Sequence, residues 1–252
     1  MKLLETKNLT LRFGGLTAVK SVDVEINDGE LIGLIGPNGA GKTSFFNLLT
    51  GVYQPSEGEI FLNGENISFM KTHKIVALGM SRTFQNIRLF KQLTVLDNIR
   101  ISLDQKKDYS TFDAMFRTKK FREYEYETIQ KSLSLLKIFD LDEIADHRAD
   151  SLSYGNQRKL EIARALACSP KLLLLDEPAA GMNPNETQEL MKIIEKIKNE
   201  FNISVLLIEH DMDLVMGICE RIYVLNFGEI IASGKPSEIQ NNKEVIKAYL
   251  GD

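Results

Sequence analysis

The sequence predicts an α/β fold in which a helical block interrupts a buried parallel sheet. Three nearly continuous apolar runs, 31–35, 171–176 and 203–209, have the composition of strands that are buried on both faces. The first run leads through a glycine-rich loop into a helical pattern, and the other two flank an amphipathic helix predicted over 186–201. Strand, loop and helix in this order are typical of a phosphate-binding unit.

Strands near the two ends of the chain are predicted to be antiparallel. Apolar residues alternate over 9–13 and 22–26, and Asn63-Gly64 predicts the turn of a hairpin over 59–65. A last strand pair is predicted at 221–225 and 229–232, before a helical tail. We therefore expect an antiparallel β-subdomain beside the buried sheet.

The composition is that of a soluble globular chain. Of 252 residues, 43% are apolar and 26% are charged, and 31 basic against 35 acidic side chains give a net charge of −4. This balance gives no indication of a nucleic-acid partner. The apolar runs fall far short of the ~20 residues that span a bilayer, and the N-terminus lacks the apolar core of a signal peptide. We expect a cytoplasmic chain with neither a signal peptide nor a transmembrane helix.

The glycine-rich loop after the first buried run matches the P-loop pattern. Its glycines allow successive backbone N–H groups to face phosphate oxygens, Lys42 adds a positive charge, and the Thr43 hydroxyl suits Mg²⁺. The plain alternative is a glycine turn before a helix, but the position between a buried strand and a helix favours the phosphate loop. The candidate nucleotide-binding residues here are Gly36, Pro37, Asn38, Gly39, Ala40, Gly41, Lys42, Thr43 and Ser44.

Two other buried runs end in polar side chains. The run 172–175 ends in Asp176 and Glu177, and burial of an unpaired carboxylate is costly. Mg²⁺ would neutralise Asp176, and Glu177 would polarise the attacking water. The alternative is that these acids merely begin a surface loop. The third run ends in Glu209 and His210; the histidine could hold a γ-phosphate or the water, although a lone histidine is usually structural.

The segment 152–160 predicts a second phosphate-facing helix end. Ser153 is a suitable N-cap, and apolar residues then recur at helical spacing, so we expect Ser153 and Gly155 to stand at the helix N-terminus and face outward. The start of this segment resembles the signature motif, commonly Leu-Ser-Gly-Gly-Gln, of the ABC transporter ATPase family. The corresponding residues are Leu152, Ser153, Tyr154, Gly155 and Asn156.

This resemblance covers essentially the whole chain and implies its architecture. It implies one ABC ATP-binding domain over 1–252 with a P-loop NTPase fold. About 1–90 and 168–252 would form a RecA-like α/β core with the N-terminal antiparallel β-subdomain, and about 91–167 an inserted α-helical subdomain that carries the signature motif. It also implies that the signature motif binds the γ-phosphate of ATP held by the P-loop of a second subunit, so that two chains enclose two ATP molecules.

Other elements of the family occur in the expected order. Gln85 resembles the Q-loop glutamine, which would contact Mg²⁺ together with Thr43 and Asp176. Phe13 resembles the aromatic residue that stacks on adenine, with an ordinary strand residue as the alternative. The resemblance implies that Glu177, His210, Gln85 and Lys42 are catalytic. The D-loop would consist of Ala180, Gly181, Met182 and Asn183.

Three positions depart from the family pattern. Tyr154 and Asn156 replace the common glycine and glutamine of the signature motif, and Asn183 replaces the usual aspartate of the D-loop. Because Lys42 and Glu177 are retained, we expect an active enzyme in which communication between the two ATP sites is altered.

Within the family, five segments resemble the ATP-binding subunits of branched-chain amino acid importers, and in particular the longer of two related ATPase subunits. They are 13–19, 82–90, 152–155, 177–184 and 248–251. The implied partners are a second ATPase subunit, either another copy or a sister chain, two integral-membrane permeases and, indirectly, an extracytoplasmic binding protein. The chain would then lie peripherally at the cytoplasmic face of the membrane.

Alternative functions differ in cargo or in coupling. A related transporter for urea, short amides or lipid would share these motifs. A soluble ABC ATPase is disfavoured because this chain has one cassette and no long coiled-coil insert, and a catalytically silent module is disfavoured because Glu177 and His210 are present. An aromatic-rich insert over about 104–131 places Phe112, Met115 and Phe116 at helical spacing. We expect these three to pack in the core, with contact to a membrane partner as the second choice.

Overall fold

The computed structural model describes residues 1–103 and 109–250, the last of these without its side chain. The first residues of the predicted insert, 104–108, and Gly251 of the C-terminal segment lie outside the described residues. The strands are β1 Lys2–Phe13, β2 Leu16–Val22, β3 Glu25–Asn27, β4 Leu31–Ile35, β5 Glu57–Leu62, β6 Glu65–Asn66, β7 Met80–Arg82, β8 Leu172–Asp176, β9 Ser204–Ile208, β10 Arg221–Asn226 and β11 Glu229–Gly234.

Eight helices lie between strands among the described residues, and the last two follow β11. The helices are α1 Lys42–Leu49, α2 Thr72–Ala77, α3 Val95–Leu103, α4 Thr111–Phe116, α5 Lys119–Ile138, α6 Tyr154–Ala167, α7 Pro184–Phe201, α8 Met212–Ile218, α9 Pro236–Gln240 and α10 Lys243–Leu250. Among the described residues, none of these helices has the length and apolarity needed to cross a bilayer.

The main sheet has the order β11-β10-β4-β9-β8-β7. Its strands from β10 to β7 are parallel, and β11 joins the edge as an antiparallel strand. Every residue of β4, β8 and β9 is buried, as the continuous apolar runs predicted. These buried strands give the α/β core its centre, and the predicted α/β fold is confirmed.

A second sheet, in the order β2-β1-β5-β6 with β3 also paired to β1, forms the antiparallel β-subdomain. Leu4, Leu9 and Ile60 are buried beneath it. The predicted hairpin turn at Asn63-Gly64 is confirmed, since both residues have the positive φ that a tight two-residue turn requires.

The chain divides into two compact units. The first comprises 1–85 and the residues from 170 onward, and it contains both sheets. The second comprises 86–169 and is built from α3, α4, α5 and α6. Leu136, Phe139 and Leu160 are fully buried in the second unit. That the two units act as a single ABC domain stays a prediction from the resemblance.

The expectation that the aromatic insert packs in the core is wrong. Phe112, Met115 and Phe116 of α4 are 65%, 78% and 59% exposed. The helical spacing does bring side chains together, because the rings of Phe112 and Phe116 have centroids 4.4 Å apart. However, α4 is only six residues long and has no buried residue, while the core of this unit is filled from α3, α5 and α6.

A buried ion pair lies inside α6. Arg158 is fully buried, and its Nη1 donates to Oε2 of Glu161 at 2.9 Å. Its Nη2 donates to the phenol oxygen of Tyr154 at 3.1 Å, and the backbone N–H of Arg88 donates to the other carboxylate oxygen of Glu161. The pair thus ties one turn of α6 to the segment before α3.

We expect Arg158→Ala to lower the free energy of unfolding by about 3–5 kcal/mol, because it removes the buried guanidinium that donates to the Glu161 carboxylate. The matched control is Arg148→Ala, which removes a solvent-exposed pair with Asp150 and should destabilise the protein far less. Urea unfolding followed by circular dichroism measures both. Equal, small losses for the two variants would contradict the importance of the buried pair.

Candidate functional site: a nucleotide cleft at the sheet edge

The phosphate-loop residues 36–44 connect β4 to α1. Gly36 and Gly41 have φ values of 153° and 106°, and a Cβ added to them would lie 2.0 Å from the carbonyl oxygen of Leu225 and 2.3 Å from that of Ala18. Gly41 is also the N-cap residue of α1, with no side-chain cap. The helix therefore begins at Lys42, as predicted, and its N-terminal N–H groups face the loop.

Lys42 places a buried ammonium group inside this loop. The side chain is 6% exposed overall, and Nζ donates to the carbonyl oxygens of Gly36 at 2.6 Å and Pro37 at 3.0 Å. Burial lowers the pKa of Lys42, and the nearby carboxylates of Glu177 and Asp176 act in the opposite direction. The cation is thus held where it can meet a phosphate group.

Asp176, at the end of β8, forms a buried ion pair that was not predicted. Its Oδ2 accepts from Nη2 of Arg82 at 2.7 Å, and the two side chains are 4% and 6% exposed. Arg82 also donates to Asn47 of α1 at 2.7 Å, and its guanidinium lies over the rings of Phe46 and Phe84 at 5.3 and 5.1 Å. The negative charge of Asp176 is therefore compensated by a protein cation.

Glu177 lies between two other predicted residues. Its Oε2 accepts from Nε2 of Gln85 at 2.8 Å, and its Oε1 is 2.8 Å from Nε2 of His210. Glu177 has a φ of 48°, a left-handed conformation that costs a non-glycine residue about 1–2 kcal/mol. A strained backbone that aims a carboxylate at two polar side chains is typical of a functional site.

These residues surround a cleft of about 550 Å³. Of the predicted site residues it gathers Phe13, 38–44, Gln85, Glu177 and His210. Gly36, Pro37 and Asp176 do not line it. Five further residues line the cleft and were not predicted from the sequence: Leu16, Thr17, Ala18, Phe227 and Gly228.

The missed residues come from the start of β2 and from the turn between β10 and β11, which are far apart in sequence. Phe227, 87% exposed, and Gly228 form the turn between β10 and β11. The N–H of Gly228 donates to the carbonyl of Ala40 at 2.9 Å, and Lys20 N–H donates to the carbonyl of Gly228 at 2.8 Å. Because these are backbone bonds, no side-chain pattern could have indicated them.

Phe13 ends β1 at the cleft, and it is 46% exposed. Its ring meets the ring of Tyr53 edge to face, with centroids 5.3 Å apart and an interplanar angle of 79°. One aromatic face of Phe13 is thus oriented by a second aromatic residue that the sequence did not single out.

The signature segment belongs to the second unit. Ser153 is the N-cap of α6, as predicted, and its Oγ accepts from Asn156 N–H at 3.3 Å. Ser153 is exposed, whereas Gly155 is buried, so the expectation that both face outward is wrong for Gly155. Residues two apart on a helix point to nearly opposite sides, which explains the difference. Leu152 is half-buried.

The D-loop segment turns tightly into α7. The N–H of Ala180 donates to Glu177 O at 3.2 Å, and that of Met182 donates to Ala179 O at 3.0 Å. Gly181 has a φ of 78°. Asn183 caps α7, since its Oδ1 accepts the N–H groups of Asn185 and Glu186.

A P-loop on a helix N-terminus, with a carboxylate and a histidine across the cleft, defines a nucleotide-hydrolysing cassette. The sequence pattern described as "ABC transporter" matches residues 19–180, more than half of the chain, which therefore belongs to the ABC transporter family. Membership makes it an ATP hydrolase that energises transport. A second pattern, "Branched-chain amino acid ATP-binding cassette transporter", matches residues 229–252.

Two curated relatives are similar over nearly their whole length. The high-affinity branched-chain amino acid transport ATP-binding protein BraF of Pseudomonas aeruginosa is 47% identical over 250 residues, which are 99% of this chain and 98% of that protein. The protein LivG of Escherichia coli K12, with the same description, is 46% identical with the same coverage. The predicted resemblance to this family is confirmed.

Solved structures agree with this relationship. The ADP conformation of an ATP-binding cassette of an ABC transporter superimposes with a TM-score of 0.87 at 30% identity and covers 100% of both chains. A dimeric cassette in a post-hydrolysis state, bound to ADP and Pi, gives a TM-score of 0.78 at 26% identity and covers 92% of this chain and 98% of that one. The ABC ATPase fold is confirmed.

Asn183→Ala should lower the free energy of unfolding by about 1 kcal/mol, because two N–H groups at the start of α7 lose their acceptor. Asn183→Asp is the control: it keeps an N-cap oxygen and should change stability by only a few tenths of a kcal/mol. Chemical denaturation of the three proteins gives the comparison. A destabilised Asp variant would show that the amide group, and not the cap, matters.

Proposed function

We propose that the chain is the ATP-binding and ATP-hydrolysing subunit of an importer for branched-chain, hydrophobic amino acids. The main structural support for this proposal is the position of Glu177 between Gln85 and His210, in the cleft that also contains the phosphate loop. The match of residues 229–252 to the branched-chain pattern, and the 47% identity to a branched-chain amino acid transport protein, support the cargo.

The nucleotide would lie along the cleft from Phe13 to the phosphate loop. The ring of Phe13, oriented by Tyr53, offers a face on which adenine stacks. The N–H groups of 38–44 and the ammonium of Lys42 would bind the phosphate oxygens. This assignment uses nucleotide-binding residues that the cleft already brings together.

Hydrolysis would be carried out by the residues that face the phosphate loop. Glu177 accepts a proton from the attacking water and orients it, while Gln85 and His210 hold the two carboxylate oxygens. The water oxygen would bond to the γ-phosphorus as the bond from that phosphorus to ADP breaks. His210 would supply a hydrogen bond, and Lys42 positive charge, to the γ-phosphate oxygens. Because all four side chains are oriented beforehand, little reorganisation accompanies the reaction.

A magnesium ion fits the donors in and beside the cleft. Thr43 and Gln85 line the cleft and offer a hydroxyl and an amide oxygen, and Asp176, which lies outside the lining and is paired with Arg82, offers a carboxylate. These are the hard oxygen ligands that Mg²⁺ prefers. Within the described residues, no group of three His, Cys, Asp or Glu side chains forms a metal site by itself. We therefore expect the metal to be held jointly with the phosphates, where it would neutralise their negative charge.

The proposed partners are supported by the placement of the signature residues in a separate unit. Residues 152–156, of which Ser153 is exposed and Gly155 is buried, would bind the γ-phosphate held by a second ATPase subunit, either a copy of this chain or a sister chain. The dimeric state of a similar cassette supports such a pair. Two integral-membrane permeases would hold the pair at the cytoplasmic face of the membrane, and an extracytoplasmic binding protein would act indirectly. Nucleic acid has no part in this proposal.

Glu177→Gln should lower the rate of phosphate release about 100-fold or more while ATP binding is retained, because the amide cannot accept the proton from water. The variant should also accumulate as an ATP-bound dimer in size-exclusion chromatography. Glu59→Gln is the control, since this exposed glutamate of β5 contacts only solvent-facing Asn66 among the bonds observed. Normal turnover by Glu177→Gln would show that another group activates the water.

Cargo is tested in cells of the source organism from which the gene has been deleted. We expect uptake of radiolabelled leucine, isoleucine and valine to fall at low external concentration, because import through the complex is no longer energised. Wild-type protein should restore uptake, and Glu177→Gln should not. Unchanged amino-acid uptake together with lost uptake of urea or a short amide would assign the transporter to the other cargo.

A further inference from the structure

Glu209 is a buried carboxylate at the end of β9 for which the cleft provides no direct role. It is 3% exposed. Its Oε1 accepts from Ala179 N–H at 2.7 Å, and its Oε2 accepts from His210 N–H at 2.9 Å and Asp211 N–H at 3.4 Å. Three backbone donors from two loops thus converge on one side chain.

Burial of the Glu209 carboxylate has a free-energy cost. Desolvation raises the pKa of Glu209, and the charge of Asp211 acts in the same direction, while the three N–H bonds oppose them. Burying a carboxylate costs several kcal/mol before its hydrogen bonds are counted. An apolar residue would avoid this cost but would leave the three backbone N–H groups without their acceptor, so the position is explained by what the carboxylate connects.

The two loops that Glu209 connects carry the hydrolytic side chains. Ala179 follows Glu177 by two residues and directly precedes the D-loop segment, and His210 follows Glu209 directly. A backbone bond from Glu177 N–H to Ile208 O, at 2.9 Å, joins the bases of the loops. The Glu209 carboxylate makes a second connection one residue further along the His210 loop and two further along the Glu177 loop. The side chains of Glu177 and His210 themselves are in contact at 2.8 Å.

We propose that Glu209 is a positioning residue for ATP hydrolysis: it fixes the loop of His210 against the loop of Glu177 and the start of the D-loop. The proposal rests on the hydrolytic function proposed above. It assigns to Glu209 no contact with the nucleotide; its effect passes through the two loop backbones. A movement of the D-loop would thereby alter the contact between Glu177 and His210.

A carboxylate suits this role better than an amide. Three N–H donors need an acceptor with several lone pairs and no hydrogen of its own, and a carboxylate offers about four acceptor positions. In Glu209→Gln one oxygen becomes an NH₂ group that faces a backbone N–H, so the connection to one of the two loops is lost. In Glu209→Asp both acceptors remain, on a side chain shorter by one methylene.

The test compares Glu209→Gln, Glu209→Asp and a control variant with wild type, as purified chain and as the complex co-purified from its own membranes. The control is Glu30→Gln, which also alters a carboxylate that accepts a backbone N–H, that of Asn27 at 2.7 Å, in the same unit but away from the cleft. For each protein one measures kcat, KM for ATP, the thermal unfolding midpoint and amide hydrogen exchange.

We expect Glu209→Gln to lower kcat at least tenfold with KM within threefold of wild type, and Glu209→Asp to retain more activity than Glu209→Gln. Exchange should accelerate at the amides of Ala179, His210 and Asp211 and stay unchanged in β4 and α1. Glu30→Gln should keep wild-type kcat. A Gln variant as active as wild type, or an Asp variant less active than the Gln variant, would overturn the proposal.

Two further outcomes distinguish the proposed role of Glu209 from general destabilisation and from the proposed hydrolytic function. A rise in KM equal to the fall in kcat, or exchange that accelerates throughout the unit, would show general destabilisation and would also overturn it. Wild-type protein that releases no phosphate would overturn the proposed hydrolytic function itself, and the role of Glu209 with it. Active wild type with active Glu209→Gln would overturn the role of Glu209 alone.

Discussion

The carboxyl edge of the main sheet is the constraint on which the rest of the site depends. Every residue of β4, β8 and β9 is buried, so each strand first offers polar groups where it ends. The phosphate loop, the loop of Glu177 and the loop of His210 all leave the sheet at this edge, because the three strands are parallel neighbours. Side chains distant in sequence are thereby brought into one cleft.

Burial of the sheet also determines how charge is tolerated at its edge. Asp176 has a guanidinium partner in Arg82, Lys42 donates to carbonyl oxygens, and Glu209 accepts backbone N–H groups. Each solution removes the penalty of an unpaired charge in a poorly solvated place. These compensating contacts also hold the loops in position, so the same interactions that make the charges tolerable orient the groups that act on ATP.

The departures from the family pattern have local partners in the structure. The phenol oxygen of Tyr154 accepts from the buried Arg158, and the N–H of Asn156 donates to the cap of its helix. Asn183 caps α7 with both an oxygen acceptor and the reciprocal bond from its N–H to Glu186. The replacements are thus integrated into the starts of α6 and α7. Their expected effect on communication between two ATP sites is a separate prediction.

Features that depend on neighbouring residues could be predicted from the sequence. The buried strands, the start of α1 at Lys42, the cap at Ser153 and the turn at Asn63-Gly64 follow from periodicity and backbone preference, and the structure has all of them. The motifs also identified the residues that line the cleft on its phosphate side.

Contacts between distant segments depend on the assembled fold and could not be predicted from the sequence. Arg82 and Asp176 are 94 residues apart, and Ala179 and Glu209 are 30 apart, yet each pair is hydrogen bonded. The turn at Phe227 reaches the cleft through backbone bonds, and the spacing of Phe112 and Phe116 fits a core face as well as an exposed one. Local patterns carry no information about which distant backbone or charge completes them, because that is settled when the strands assemble into a sheet.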